Sequence, residues 1–359
     1  MDFALTEEQE MFKAAAAEFC QAEVEPVAIE LESKKEFPVE MTNKMSELGF
    51  MGLLIPEEHG GVGADYLAYL LVEGEIAKSS ISLSMTIGSQ NSLTAMPIMN
   101  FGTDAQKAKF LPDLASGEKL GCFALTEPGA GSDPAGMTTT AELKDGKWIL
   151  NGTKIFITTG SIARIAIAWA RTGTTDKGKP EISAFIIDRD ESPWKVGTIE
   201  SKMGLHASPT TELIFENITL PEDALLGKRG DGFKVALMTL NTGRLSVGVQ
   251  SIGLAEAAYE RALKFAKERK QFGQSISKFQ GISFKLADMI TGINAAKGLI
   301  YQAVWLKEQY GLADARFISM AAQAKLYASE MSERVTSAAV QIHGGYGYMS
   351  EYRVEEFFR

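Results

Sequence analysis

Between Ala124 and Gly136 the chain reads Ala-Leu-Thr-Glu-Pro-Gly-Ala-Gly-Ser-Asp-Pro-Ala-Gly, which sets two hydroxyls, Thr126 and Ser132, and two carboxylates, Glu127 and Asp133, around a pair of glycines. Gly129 and Gly131 remove the bulk that keeps backbone N–H groups from a ligand, and each hydroxyl can both donate and accept a hydrogen bond. Such a loop can lie flat against a planar ligand. The same composition also describes an ordinary turn, so its meaning depends on what surrounds it.

Other chemistries find little support. His59, His206 and His343 share no metal-ligand spacing. Cys20 and Cys122 stand far apart, which argues against a disulfide framework or a cysteine-based metal site and predicts two reduced core residues. The 36 basic and 46 acidic residues leave a net charge of −10. No Lys/Arg cluster interleaves with aromatics, so nucleic acid is a poor partner. No apolar run approaches the roughly 18 residues that span a bilayer. Asp2, Glu7, Glu8 and Glu10 occupy the region where a signal peptide needs basic and then apolar residues. The expectation is a bacterial cytoplasmic protein without membrane association; a mature mitochondrial matrix protein is the second choice.

The elements that must position the loop follow from periodicity. Thr6-Glu7-Glu8-Gln9 is a capping box ahead of a helix presenting Met11, Phe12, Ala15 and Phe19. Helical segments near Met45–Met51 and over 66–78 and a small-residue run through Ser92 follow, so residues 1–120 form an α region. Alternating runs at 138–143 and 147–155 flank Asp145-Gly146, a hairpin turn. Runs at 165–170, 182–187 and 212–215 continue the pattern and make 121–228 a β domain. From 229 to 359 the period is helical again, with breaks near Gly273 and Gly311, and three long helices fit. In the last, Ala321, Ala324, Ala328, Met331, Val335, Ala338 and Ile342 make the seam of a bundle helix.

With this α–β–α order and the loop at its first junction, the chain resembles the acyl-CoA dehydrogenases, FAD-dependent flavoproteins. One family signature falls on 124–136. A second begins at Gln341-Ile342-His343-Gly344-Gly345-Tyr346-Gly347-Tyr348. The resemblance covers the whole chain and implies an α+β fold with an N-terminal helical domain, a middle β-barrel or sandwich and a C-terminal helical bundle.

It also implies the site. Phe123, Leu125, Thr126, Gly131 and Ser132 would run beside the flavin ring, and Phe156-Ile157-Thr158 matches a family segment in which the aromatic lies near the flavin and the Thr hydroxyl bonds its N5. Arg269, in Arg269-Lys270-Gln271-Phe272-Gly273, and Gln280 resemble residues that reach the FAD of a neighbouring subunit, the guanidinium suiting a pyrophosphate. Gln341, Gly344 and Gly345 would contact FAD as well. Asn241, Thr242, Gly243 and Arg244 match the substrate-lining start of the first bundle helix, and Ser132 would also touch acyl-CoA.

The implied activity is α,β-dehydrogenation of a short- or medium-chain acyl-CoA to the trans-2-enoyl-CoA in fatty acid β-oxidation, with electrons passed to electron-transfer flavoprotein by a homotetramer. The reverse enoyl-CoA reduction and a non-catalytic flavin or acyl-CoA binding subunit are the alternatives. Removing the α proton needs a base. The family keeps a glutamate either in a Tyr-Glu-Gly-Thr segment beyond the second signature or just before the bundle-helix arginine. The chain reaches Arg359 before the first, and Gly243 occupies the second. Glu356 also stands where the signature has Lys or Arg, while Glu351 and Glu355 read as surface charges. The expectation is therefore a C-terminally truncated dehydrogenase with no catalytic base and no metal.

Overall fold

The computed structural model describes residues 4–359, so Asp2 lies outside the described residues. The first segment is helical: α1 (Glu7–Phe19), α2 (Ala28–Lys34), α3 (Val39–Glu47), α4 (Tyr66–Ser79), α5 (Ile81–Gly88), α6 (Met96–Phe101) and α7 (Asp104–Ser116). Thr6 caps α1 as its sequence predicts, with Gln9 reciprocating. The buried face of α1 differs from the expected one. Met11 is 62% exposed, whereas Ala16, Phe19 and Cys20 are buried; Met11 lies on the solvent side of the 3.6-residue period. The small-residue run through Ser92 is helical as expected, forming α5 and a π-helical stretch at Ser89–Ala95, buried almost throughout because small side chains let helices approach closely.

A second capping box opens α7, Thr103 accepting from the Gln106 N–H. Gln106 Nε2 also donates to the carbonyls of Asp223 (2.7 Å) and Leu225 (3.0 Å), tying the helical segment to the β domain. Thr103→Ala should cost about 1 kcal/mol, and Gln106→Ala about 2–3 kcal/mol because two further carbonyls lose their donor. Thermal unfolding of the two variants gives this order; equal losses would remove the interdomain role from Gln106.

The middle segment is one eight-stranded sheet: β1 (Gly121–Ala124), β2 (Thr140–Lys144), β3 (Lys147–Thr158), β4 (Ile165–Thr174), β5 (Pro180–Asp188), β6 (Lys195–Ile199), β7 (Thr210–Pro221) and β8 (Leu225–Leu226), in the order β6-β7-β3-β2-β4-β5-β8, with β1 parallel to β4. Asp145 and Gly146, both at positive φ (52° and 74°), turn β2 into β3, as a two-residue hairpin requires. Strand β4 departs from the expected alternation, since all of 165–170 is buried. Ile165, Ile167 and Trp169 face α6, α7 and the next long helix, while Ala166, Ala168 and Ala170 face a core with Trp148, Leu150, Phe185 and Phe215 inside the sheet domain. A strand covered on both faces has no polar side to show.

Helices α8 (Gly232–Glu268), α9 (Gln280–Tyr310) and α10 (Ala315–His343) form the last segment, with two-residue strands β9 (Lys270–Gln271) and β10 (Gln274–Ser275) pairing between α8 and α9. A short helix α11 (Val354–Phe358) ends the chain. The α10 seam is buried as expected through Val335 and then drifts, so that Ala339 is fully buried and Ala338 only half-buried. Residues of α1, α4, α8, α9 and α10 share one hydrophobic core. The first and last helical segments thus pack as a single body around α8.

Candidate functional site

The loop after β1 is stitched to β3. Ile155 N–H donates to the Thr126 carbonyl (2.9 Å), and Glu127 and Ala130 exchange backbone hydrogen bonds that close the loop on itself. Beneath it lies an ion pair with side chains 0% and 1% exposed: Lys154 Nζ donates to Glu127 Oε1 (2.8 Å) and to the Leu125 carbonyl (3.1 Å). Glu127 also accepts from Thr138 N–H (2.6 Å), the Thr138 hydroxyl (2.8 Å) and Thr139 N–H (3.1 Å). Burial raises the Glu127 pKa, but Lys154 and these donors outweigh it and hold the carboxyl down to about 2. Burial pulls Lys154 down to about 8 against the opposing effect of Glu127.

One residue further along, β3 bulges. Its pairing with β7 slips between Lys154 and Ile157, and Phe156 takes φ 58°, a left-handed conformation rare for an aromatic residue. The bulge turns the Phe156 ring outward to 60% exposure while Ile157 returns to the core at 2%. Of the two, Ile157 alone is buried in the sheet. Thr126 and Thr158 are half-buried, Gly131 and Ser132 exposed, Leu125 buried, and Phe123 packs at a tilt on Trp169 with ring centroids 4.4 Å apart. The result is a shallow platform with an exposed aromatic ring, free hydroxyls and a glycine loop.

A second constellation belongs wholly to the C-terminal helices. Phe265, Arg269, Gly344, Gly345 and Tyr346 line an open cleft of about 480 Å³. The sequence placed Arg269 and the two glycines in separate motifs, and the fold brings them to one concavity. Arg269 lies 5.4 Å over the Tyr346 ring, an exposed cation on an exposed aromatic. His343 forms part of the lining, stacked 4.4 Å from Phe265 with Nδ1 against the Ala339 carbonyl; burial lowers its pKa. Gln280 and Gln341 are exposed but do not line this cleft, and no residue of the 123–158 platform does.

Near the start of α8, Asn241, Thr242 and Gly243 are buried and Arg244 is half-buried, its guanidinium donating to Asn241 Oδ1. The Thr242 hydroxyl is turned back on the Thr239 carbonyl (2.8 Å), and its own carbonyl accepts from the Tyr66 hydroxyl (3.0 Å). Arg244 is therefore the residue of this stretch that keeps an exposed polar group. The C-terminal carboxylates are engaged: Glu355 pairs with Arg359 (2.6 Å) and Glu356 with Arg353 (2.9 Å), whereas Glu351 is exposed. Cys20 and Cys122 are buried and free, and burial pushes both thiols up to about 12.

Sequence reasoning missed Glu127 and Lys154 as partners and Tyr346 as the ring beneath Arg269. A signal for the first existed. Trp148, Leu150 and Lys154 fall on the same parity of β3, so a lysine on the inward face required a buried anion.

Comparison with known proteins yields three family matches in chain order: the acyl-CoA dehydrogenase N-terminal domain over residues 6–118, middle domain over 122–218 and C-terminal domain over 230–359. An acyl-CoA dehydrogenase of Bacillus subtilis is 46% identical over 99% of this chain and 92% of its own. The acryloyl-CoA reductase (NADH) of Anaerotignum propionicum is 43% identical over 100% and 90%. The solved structure of butyryl-CoA dehydrogenase from Megasphaera elsdenii superposes with a TM-score of 0.95 at 44% identity, covering 100% of this chain and 93% of that one.

Proposed function

The chain belongs to the acyl-CoA dehydrogenase family, and from that premise we propose that it is an FAD-dependent oxidoreductase that introduces the α,β double bond into short- or medium-chain acyl-CoA. The observation that carries the reading is the β3 bulge. It lifts Phe156 out of the sheet beside the Thr126 loop and leaves an aromatic ring exposed there while Ile157 returns to the core.

The residues present fit FAD. Phe156 offers an exposed ring and Thr126, Ser132 and Thr158 offer hydroxyls, while Phe123, Leu125, Gly131 and Ile157 would support the cofactor from beneath or through their backbone. Nothing lies within 4 Å of a Cβ built on Gly131, Gly344 or Gly345, so backbone there is open to a close ligand. Arg269, Gln280, Gln341, Gly344 and Gly345 would serve the cofactor of a neighbouring subunit, which makes the protein an oligomer, a homotetramer in this reading. Ser132, Asn241, Thr242, Gly243 and Arg244 would hold the acyl-CoA, Arg244 with its charge and the others by shape and backbone.

The chemistry FAD supplies when bound is acceptance of the hydride from the substrate β-carbon. The chain's own part is to hold the thioester against the platform and to exclude water from it. No carboxylate among residues 1–359 stands at either family base position. A Cβ on Gly243 would already meet Leu93 Cδ2 at 3.2 Å, so a glutamate does not fit there without repacking. The base in this reading belongs to the Tyr-Glu-Gly-Thr segment that the resemblance places after residue 359. Electron-transfer flavoprotein is the proposed oxidant, in bacterial cytoplasmic fatty acid β-oxidation.

The test is acyl-CoA-dependent bleaching of bound FAD, with and without that segment appended. The appended chain should bleach; one that binds FAD yet leaves it oxidised with every short and medium acyl-CoA would sink the reading. Arg269→Ala should weaken FAD binding about 10- to 150-fold, since a charge-assisted phosphate contact contributes about 1.5–3 kcal/mol. It should also lower the assembly state seen by light scattering, and an unchanged affinity would remove Arg269 from the FAD site. Reduction of an enoyl-CoA is the second reading, supported by the acryloyl-CoA reductase relative; steady-state rates of acyl-CoA oxidation with an electron acceptor against enoyl-CoA reduction with an electron donor distinguish the two directions.

A further inference from the structure

The stretch from Phe156 to Thr158 is tied down at both ends. Before it, the Ile155 N–H donates to the Thr126 carbonyl (2.9 Å), and after it, the Thr159 hydroxyl donates to the Gly121 carbonyl (2.8 Å). Gly121 opens β1 and Thr126 lies just beyond its end, so the two bonds join the two arms of the platform at either side of the exposed ring. Left-handed backbone stands at the start of the stretch and just past its end, Phe156 at φ 58° and Thr159 at φ 61°.

Thr159 is the less expected of the two, because a β-branched side chain at positive φ is an outlier. It holds that conformation almost fully buried, with 1% exposure. Its N–H donates to the Pro209 carbonyl (2.8 Å), and its carbonyl accepts from the N–H groups of Ile162 (2.9 Å) and Ala163 (2.8 Å). Any residue could make those backbone bonds, and glycine would make them without strain. The hydroxyl is what threonine adds. Its one proton is shared between the carbonyls of Gly121 and of Thr158 (2.6 Å). The Gly121 carbonyl also accepts from the Ser89 hydroxyl (3.3 Å), so it keeps a donor without Thr159. Strain retained where the turn itself does not require it points to the neighbouring site.

We propose that Thr159 is a positioning residue for the flavin: its hydroxyl locks the Thr158 backbone against β1 and so sets where the Thr158 hydroxyl meets the polar edge of the ring. The inference rests on the FAD reading above, in which that hydroxyl bonds N5. Without the lock, Phe156 and Thr158 lie on a segment held by the Ile155 bond and by the pairing of β3 with β7, and the side toward the start of β1 is untied. Both groups that face the ligand then lose their fixed height above the sheet.

The experiment reads FAD on the full chain loaded with the cofactor. Thr159→Val keeps the β-branched shape and removes the hydroxyl. Its FAD dissociation constant should rise about 2- to 12-fold, the range of one net hydrogen bond, and the visible absorption band of the bound oxidised flavin should shift. Thr159→Ser keeps the donor and should restore both values. Thr159→Gly relieves the positive φ yet also lacks the donor, so it supplies a hydroxyl-free chain even if Thr159→Val fails to fold. It should show a loss in the same range and a shifted band. Val and Gly variants that bind FAD as tightly as the unmodified chain, with an unmoved band, overturn the proposal and leave the FAD reading intact. A lowered unfolding temperature with an unmoved band also overturns it, since Thr159 would then serve the fold alone. An unmodified chain that binds no FAD overturns both.

Discussion

Replacing Lys154 with Met should lower the unfolding free energy by about 3–5 kcal/mol and release FAD at concentrations that saturate the unmodified chain. The magnitude is that of removing one member of a buried ion pair, which strands the other charge without water. Glu127 would be left with no cation, and the Leu125 carbonyl would lose its Lys154 donor. Because those two residues flank Thr126, the platform loosens where it faces the ligand. The acid limb gives an independent check. Glu127 is held down to about 2 from a usual 4.5, so its contribution is full above pH 4.5 and disappears as pH falls toward 2. In Lys154→Met the carboxyl loses its principal depressing partner, and this acid-dependent part of the stability should shrink. Urea unfolding across pH 2–6 and FAD fluorescence quenching measure both effects. A loss under about 1 kcal/mol with unchanged FAD affinity would mean that the pair neither stabilises the fold nor shapes the loop.

Trp169→Ala should cost about 4–5 kcal/mol, while Trp169→Phe should cost about 1–2 kcal/mol. Trp169 is fully buried where β4 meets the start of α8, and its indole N–H donates to the Gly232 carbonyl (2.7 Å). Alanine removes the ring that joins the sheet to Val235 and Ala236 of α8 and also supports Phe123 below the loop. Phenylalanine keeps most of the packing and loses the hydrogen bond. The gap between the variants in denaturant unfolding therefore separates packing from the polar contact. Equal costs for the two would show that the indole N–H, not the ring, holds the interface.

Local chemistry made much of this protein legible in one dimension. The capping box at Thr6, the Asp145-Gly146 turn and the change of period from helical to alternating and back depend on residues within a few positions of one another, so the sequence alone specifies them. The small-residue loop at 124–136 and the glycines at 344–345 are legible for the same reason, because backbone access is a property of the residue itself. What the sequence could not specify depends on where distant residues meet. Phe156 turns outward only because β3 bulges against β7, and Lys154 reads as a strand charge until Glu127 is folded beneath it. Arg269 and Gly344 share a cleft only because α8 and α10 pack together. The Thr159 hydroxyl reaches Gly121 only because the end of β3 folds against β1. Burial and pairing are sums over contacts far apart in the chain, so the sequence by itself determined the segments and their candidate motifs, while the tertiary structure decided which side chains face one another.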